Sequence, residues 1–243
     1  MPDRDTMASM ASTTPPPAIV ALTNGAFTGL SKDESLEWIV ARADGVQLVA
    51  YTAEELDDDV DGWVRRCREA DLSIVAVHAP PHDIGRPSAA VVDRLVRVAD
   101  GHRVVAHPDA MGDLAPWTRL GGQLLVETLD PGKSTGRTVP EVEAILGHLP
   151  DAGVCLDVSH SLTAGGPDLP VEMARRWGDR IGLLHVGCQR GRGAGRGDEV
   201  PAVDLDVLAA VRGLLPDTPV AVEGHWSVAA HMRVLEHLTG RGR

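Results

Sequence analysis

The sequence predicts an α/β protein built as a single closed (β/α)8 barrel. Three observations predict it. Short apolar runs alternate with helical patterns eight times, at a spacing of about 30 residues, the size of one barrel unit. The runs are continuously apolar, as parallel strands covered on both faces require. The length, 243 residues, suits one barrel, for which about 250 is typical. The alternative is an open doubly wound sheet. Against it, no Gly-x-Gly-x-x-Gly follows the first strand and no Walker sequence occurs. Gly191-Arg-Gly-Ala-Gly195 is Gly-rich but follows the seventh strand.

The elements follow in order. Ala18 to Leu22 is the first strand. Ser31 and Glu34 form a capping box opening a helix that carries Leu36, Trp38, Ile39 and Val40. Val46 to Tyr51 is the second strand, and a helix covers Val60 to Ala70 behind the exposed acidic run Asp57 to Asp59. Leu72 to Val77 is the third strand, followed by a helix over Pro87 to Ala99 with Val91, Val92, Leu95, Val96 and Val98 on its apolar face. Val104 to Ala106 is the fourth strand, with a short helix expected over Gly112 to Arg119. Leu124 to Val126 is the fifth, followed by a Gly-rich loop and a helix from Pro140, a good first helical residue, to His148. Val154 to Val158 is the sixth strand and Pro170 to Trp177 its helix. Ile181 to Leu184 is the seventh; a Gly/Arg-rich loop then leads to a helix over Asp204 to Leu215. Pro219 to Val222 is the eighth strand, and Ser227 to Leu238 closes the chain as a helix.

Composition bounds the function. With one Phe, one Tyr and five Trp, the core must be aliphatic, as barrel interiors are. The net charge of −12 argues against nucleic acid as the main partner, despite the cluster Arg190, Arg192 and Arg196. Cys67, Cys155 and Cys188 form no disulfide framework and no thiolate zinc motif; Cys67 and Cys155 read as small core residues. No run reaches the roughly 18 apolar residues of a membrane span. Residues 1–17 are polar and Thr/Pro-rich without an apolar signal core, so they are expected to be a disordered leader to a catalytic barrel domain over 18–243, in a cytoplasmic protein.

The chemistry lies at the strand ends. Six successive strands end in a metal-competent group: His78, His107, Glu127, Asp157, His185 and Glu223. In a barrel these ends converge on one face, where active sites sit. A buried unpaired charge is costly, so something must compensate them. A mixed imidazole and carboxylate set suits Mn²⁺, Co²⁺, Zn²⁺ or Fe²⁺ better than all-oxygen ions. His160 follows Asp157 by three residues and reads as a substrate contact or a partner to a ligand. His78 and His107 could complete a second metal site, bind substrate oxygens, or simply hydrogen-bond in the mouth. Asp109 reads as a loop cap. Lys133 and Arg137 read as a solvated Gly-rich loop, and His82, His102, His148, His231 and His237 as surface. His225 could line the pocket. Trp117 and Trp226 read as packing rather than pocket wall.

With those residues in place, the sequence resembles the xylose-isomerase-like TIM barrel superfamily, which holds sugar isomerases and epimerases and the endonuclease IV enzymes. The likeness runs from about Ala18 to Leu238. It is sharpest at Cys155-Leu-Asp-Val-Ser-His160 with Ala164, Gly165, Asp168 and Leu169 behind it. His78-Ala-Pro80, His107-Pro108, Glu127-Thr128, Leu184-His185 and Val222-Glu223 fall in family order.

The resemblance implies Glu127, Asp157, His185 and Glu223 as ligands of one divalent ion. It implies Glu127 and Glu223 as catalytic acid and base, and His160 and Arg190 (or Arg192) as substrate contacts. In the endonuclease branch, counterparts of His78 and His107 join Glu127 at a second ion. A third site there needs an Asp-x-His pair, and Asp198-Glu199-Val200 lacks the histidine.

The expected activity is therefore a metal-dependent isomerase or epimerase of a sugar or polyol derivative, moving a proton through a metal-stabilised enediolate. The alternatives are a dinuclear zinc phosphodiesterase, a dehydratase of the same superfamily, and a non-catalytic barrel retained for binding. A homodimer is compatible with the sequence.

Overall fold

A computed structural model describes residues 19–82, 85, 87–187, 202–224 and 226–239, with the backbone alone for 202–204. The expected leader, Cys188, Arg190, Arg192, Arg196, Asp198, Glu199 and His225 lie outside the described residues.

The strands are β1 (Val20–Thr23), β2 (Gly45–Val49), β3 (Ser73–His78), β4 (Val104–Ala106), β5 (Leu124–Glu127), β6 (Gly153–Asp157), β7 (Ile181–Val186) and β8 (Val220–Val222). All neighbours are parallel, and β8 pairs back onto β1, so the expected barrel is closed. The helices are α1 (Lys32–Val40), α2 (Val60–Glu69), α3 (Ser88–Ala99), α4 (Val139–His148), α5 (Val158–Gly165), α6 (Asp168–Trp177), α7 (Ala202–Leu214) and α8 (Val228–Thr239). None is long and apolar enough to cross a membrane among the described residues.

Local chemistry sets the helix starts. Ser31 and Glu34 form the expected capping box on α1. Thr138 caps α4 by accepting from the Glu141 N–H, which makes Pro140 the second helical residue rather than the first. Two expectations fail. After β4 there is no α-helix, only 3-10 turns at Pro108–Ala110 and Ala115–Gln123. Gly112 and Gly121 there take positive φ, which interrupts helical propagation. Conversely, α5 was not expected. Asp157 ends β6 and is itself the helix cap, accepting from the His160 N–H at 2.7 Å, so no loop intervenes.

The barrel interior is layered. Ala21, Ala76, Val105, Leu125, Cys155, Leu183 and Ala221 form one buried apolar cluster inside it. Side chains alternate along a strand, so the residue two positions on points into the same space. Those residues are Thr23, His78, His107, Glu127, Asp157, His185 and Glu223. Gln47 supplies the β2 member, in register with Thr23 on one side and Ala76 on the other. An apolar floor thus carries a polar ring at the C-terminal mouth. A separate apolar shell packs the helices onto the outside of the strands.

Candidate metal centre

The ring converges on Glu127. Its side chain is fully buried and each oxygen meets imidazole. Glu127 Oε2 lies 2.9 Å from His78 Nε2 and 3.0 Å from His107 Nε2. Glu127 Oε1 lies 3.1 Å from His185 Nδ1. The same His185 nitrogen is 2.9 Å from Glu223 Oε2. Asp157 completes the group: one ligand atom each from Glu127, Asp157, His185 and Glu223 lies within 4.8 Å of all the others. A second set under the same limit joins His78, His107 and Glu127.

The tautomers bear on what this set can hold. His78 Nδ1 faces the Ala79 carbonyl at 2.6 Å, an oxygen that only accepts, so Nδ1 carries a proton. In the neutral ring Nε2 is then a lone pair aimed at Glu127 Oε2. His185 Nε2 lies 2.8 Å from Gln47 Oε1, and the Gln47 amide nitrogen donates to Glu223 Oε1. His185 Nε2 is therefore a donor, and Nδ1 is the lone pair aimed at two carboxylates. His107 Nδ1 and Asp109 Oδ1 are both buried without a hydrogen-bond partner, 3.9 Å apart. A small rotation would pair them and leave Nε2 free. Two buried carboxylates and a third at the mouth, set against imidazole lone pairs, repel unless a cation or protons stand between them. The outer acceptor on His78 and on His185 is the usual arrangement behind a metal-binding imidazole. The residues present fit a divalent ion.

Without such an ion, protons compensate. Burial works against ionising Glu127, yet His107 and His185 hold its carboxyl well below the usual range. Burial also opposes ionisation of Glu223, and His185 lowers it. Burial opposes charge on His185, but Cys155, Glu223 and Glu127 raise it well above the ordinary imidazole value. Burial pushes the Cys155 thiol itself up to about 12, so at neutral pH the carboxylates carry that effect. Asp157 is pushed up to about 6, by burial first and opposed by His160.

Two side chains open toward the mouth: Glu223 of the ring, with 19% of its side chain exposed, and His160 of α5, with 20%. His160 Nδ1 stands 3.4 Å from Asp157 Oδ2 and 3.2 Å from the Thr128 carbonyl. Asp157 divides its work: Oδ1 caps α5 and Oδ2 faces the site. The Thr128 hydroxyl accepts from the Asp157 N–H at 2.9 Å, bracing β6 against the loop after β5.

All the expected site residues that lie within the described part of the chain thus meet in one place; Arg190 is outside it. Val96 of α3 is exposed rather than on the covered face of its helix, and two further expectations change. Lys133 is not solvated: it pairs with Asp109 at 3.3 Å, both largely covered, while Arg137 pairs with Glu141. His231 is buried, stacked on Phe27 at 4.2 Å. Trp117 and Trp226 are core, as expected. Gln47 and Thr23 escaped the sequence reading. Gln47 is the lone polar residue of the run from Val46 to Ala50, and that interruption was the available signal.

No protein-family model matches the sequence, and no curated protein does. Solved structures do match the fold. A D-tagatose 3-epimerase-like protein superposes with a TM-score of 0.67 at 16% identity, covering 91% of this chain and 97% of its own. An AP endonuclease of family 2 from Brucella melitensis gives 0.66 at 15%, covering 91% and 98%. A probable 3-DHS dehydratase involved in petrobactin synthesis from Bacillus anthracis gives 0.63 at 15%, covering 92% and 100%.

Proposed function

On the fold of the xylose-isomerase-like TIM barrels, which the chain has, we propose that it is a divalent-metal-dependent isomerase or epimerase of a sugar or sugar-like substrate. The observation that carries this reading is the pair of carboxylates, Glu127 and Glu223, straddling His185 Nδ1 at 3.1 and 2.9 Å. An ion held by Glu127, Asp157, His185 and Glu223 would act as a Lewis acid on a substrate carbonyl and the hydroxyl beside it.

The chain's own groups do the rest. The proton on the hydroxyl-bearing carbon, α to that carbonyl, would become acidic. One glutamate takes it from one face and the other returns a proton to the opposite face, inverting that carbon. The two are not equivalent. Glu223 opens to the mouth, whereas Glu127 is walled in by His78, His107 and His185 and must yield one of those contacts to reach substrate. His160, at the rim, would orient a substrate oxygen, and Arg190 would supply the cation. Positioned proton transfer of this kind contributes about 10²–10⁴-fold per group.

The test is exchange of the substrate α-proton with solvent deuterium. Glu127→Gln and Glu223→Gln should each lose inversion, and one of them should retain single-face exchange. Full exchange and inversion in both variants would remove the glutamates from the chemistry.

A second reading has its own observation. His78 and His107 both meet Glu127 Oε2, so Glu127 could be shared by two ions. That arrangement fits a dinuclear phosphodiesterase. Elemental analysis separates the two readings: two tightly held Zn²⁺ per chain support the hydrolase, and one Mn²⁺ or Co²⁺ supports the isomerase.

A further inference from the structure

We infer that Gln47 is a positioning residue of the centre: its amide decides which nitrogen of His185 and which oxygen of Glu223 face the ion. The inference rests on the metal-dependent reading above and names a residue that the reading does not need.

Gln47 is fully buried in β2, between Val46 and Leu48. A buried primary amide is costly unless both its ends are bonded. Here both are, and the partners are two members of the proposed ligand set. An ionised Glu223 can only accept, so the group that meets its Oε1 must be the amide N–H. The other end of the amide is then a carbonyl oxygen, which can only accept from His185 Nε2–H. That bond leaves His185 Nδ1 as the lone pair, and Nδ1 is the atom near both Glu127 and Glu223. On Glu223, Oε1 is occupied by the amide and Oε2 is left to face inward. One side chain therefore sets two ligand atoms at once.

No other side chain of this length does both. Glutamate could accept from His185 but would set its own charge against Glu223. Leucine would leave both partners bare in a buried place. Thr23 and Ala76, the flanking register partners, offer no substitute of that reach.

The experiment compares full-length wild type, Gln47→Glu and Gln47→Leu. Zn²⁺ affinity is measured by chelator competition, and ¹⁵N-imidazole NMR of the Zn²⁺-loaded proteins reads each histidine's bound and protonated nitrogen. Wild type should show His185 bound through Nδ1 with a slowly exchanging Nε2–H. Gln47→Leu should lose that protected proton and bind Zn²⁺ about 10–100-fold more weakly, the usual effect of removing a group that orients a ligand. Gln47→Glu keeps the shape and the acceptor. It should keep the His185 signature yet still bind at least tenfold more weakly, through Glu223. If Gln47→Leu does not fold, the isosteric variant decides alone. Wild-type affinity in Gln47→Glu, or wild-type affinity and signature in Gln47→Leu, overturns the role of Gln47 while leaving the metal reading intact. A wild-type protein that binds no Zn²⁺ overturns both.

Discussion

Adding a divalent ion should raise the melting temperature of the metal-stripped protein by a calculable amount. The candidate ligands sit at the ends of β5, β6 and β7 and just past β8, and meet only when those strands are in register. The unfolded chain has no such site, so binding free energy appears almost wholly as folding stability. At an ion concentration 100 times Kd, that is about 2.7 kcal/mol. Barrels of this size shift by about 2–4 °C per kcal/mol, so the expected rise is about 5–11 °C. Each further tenfold in free ion adds about 1.4 kcal/mol and about 3–6 °C. The assay is calorimetry of chelator-treated protein titrated with Mn²⁺, Co²⁺, Zn²⁺ or, without oxygen, Fe²⁺. His185→Ala should flatten the response, because it removes a ligand atom central to the set. A melting temperature independent of all four ions would refute the reasoning, since the three clustered carboxylates would then be compensated by protons alone.

Other outcomes follow from the same geometry. Gly136 holds φ near 83°, and an added Cβ would lie 2.6 Å from Pro108; Gly136→Ala should cost about 1–3 kcal/mol in urea unfolding. Lys32 donates to the Val49 carbonyl at 3.0 Å and to Glu55 at 2.6 Å beneath Tyr51 and Trp63. Lys32→Met should lose about 1–3 kcal/mol by leaving those acceptors short of a donor, read as a lower urea midpoint at unchanged slope. His102 is held below its ordinary value of 6.5, by burial first and Arg68 second. The unfolded ring therefore takes up its proton first as pH falls, and that share of stability is present above 6.5 and lost on acidification through the folded value. His102→Gln should make the urea midpoint fall less between pH 7 and pH 5 than it does in the wild type.

The strand ends were legible because burial leaves a continuous apolar run, and each run stops at a group that cannot be buried alone. That signal found His78, His107, Glu127, Asp157, His185 and Glu223 without any knowledge of what lay opposite them. It failed for Gln47, which interrupts its run instead of ending it; an uncharged amide raises no alarm in a strand. It failed for His231, because a helix on the outside of a barrel has a buried face that one histidine does not reveal. Helix α5 was missed for a different reason. Asp157, Ser159 and His160 are weak helix formers in the interior, and only the capping geometry makes them a helix start. Lys133 was misread since its partner, Asp109, comes from the preceding loop, and a pairing between loops leaves no local pattern.

The seam at Asp157 carries a consequence of its own. One carboxyl closes a strand, opens a helix and offers its second oxygen to the centre, so architecture and chemistry are vested in the same atoms. Drift at this position is constrained twice: a residue without a capping oxygen unravels the first turn of α5, and a residue without a second polar atom gives up the contact with His160. Asparagine keeps both the cap and the shape while surrendering the charge, so it is the replacement with which a barrel of this design would lose the ionised oxygen beside His160 and yet stay folded.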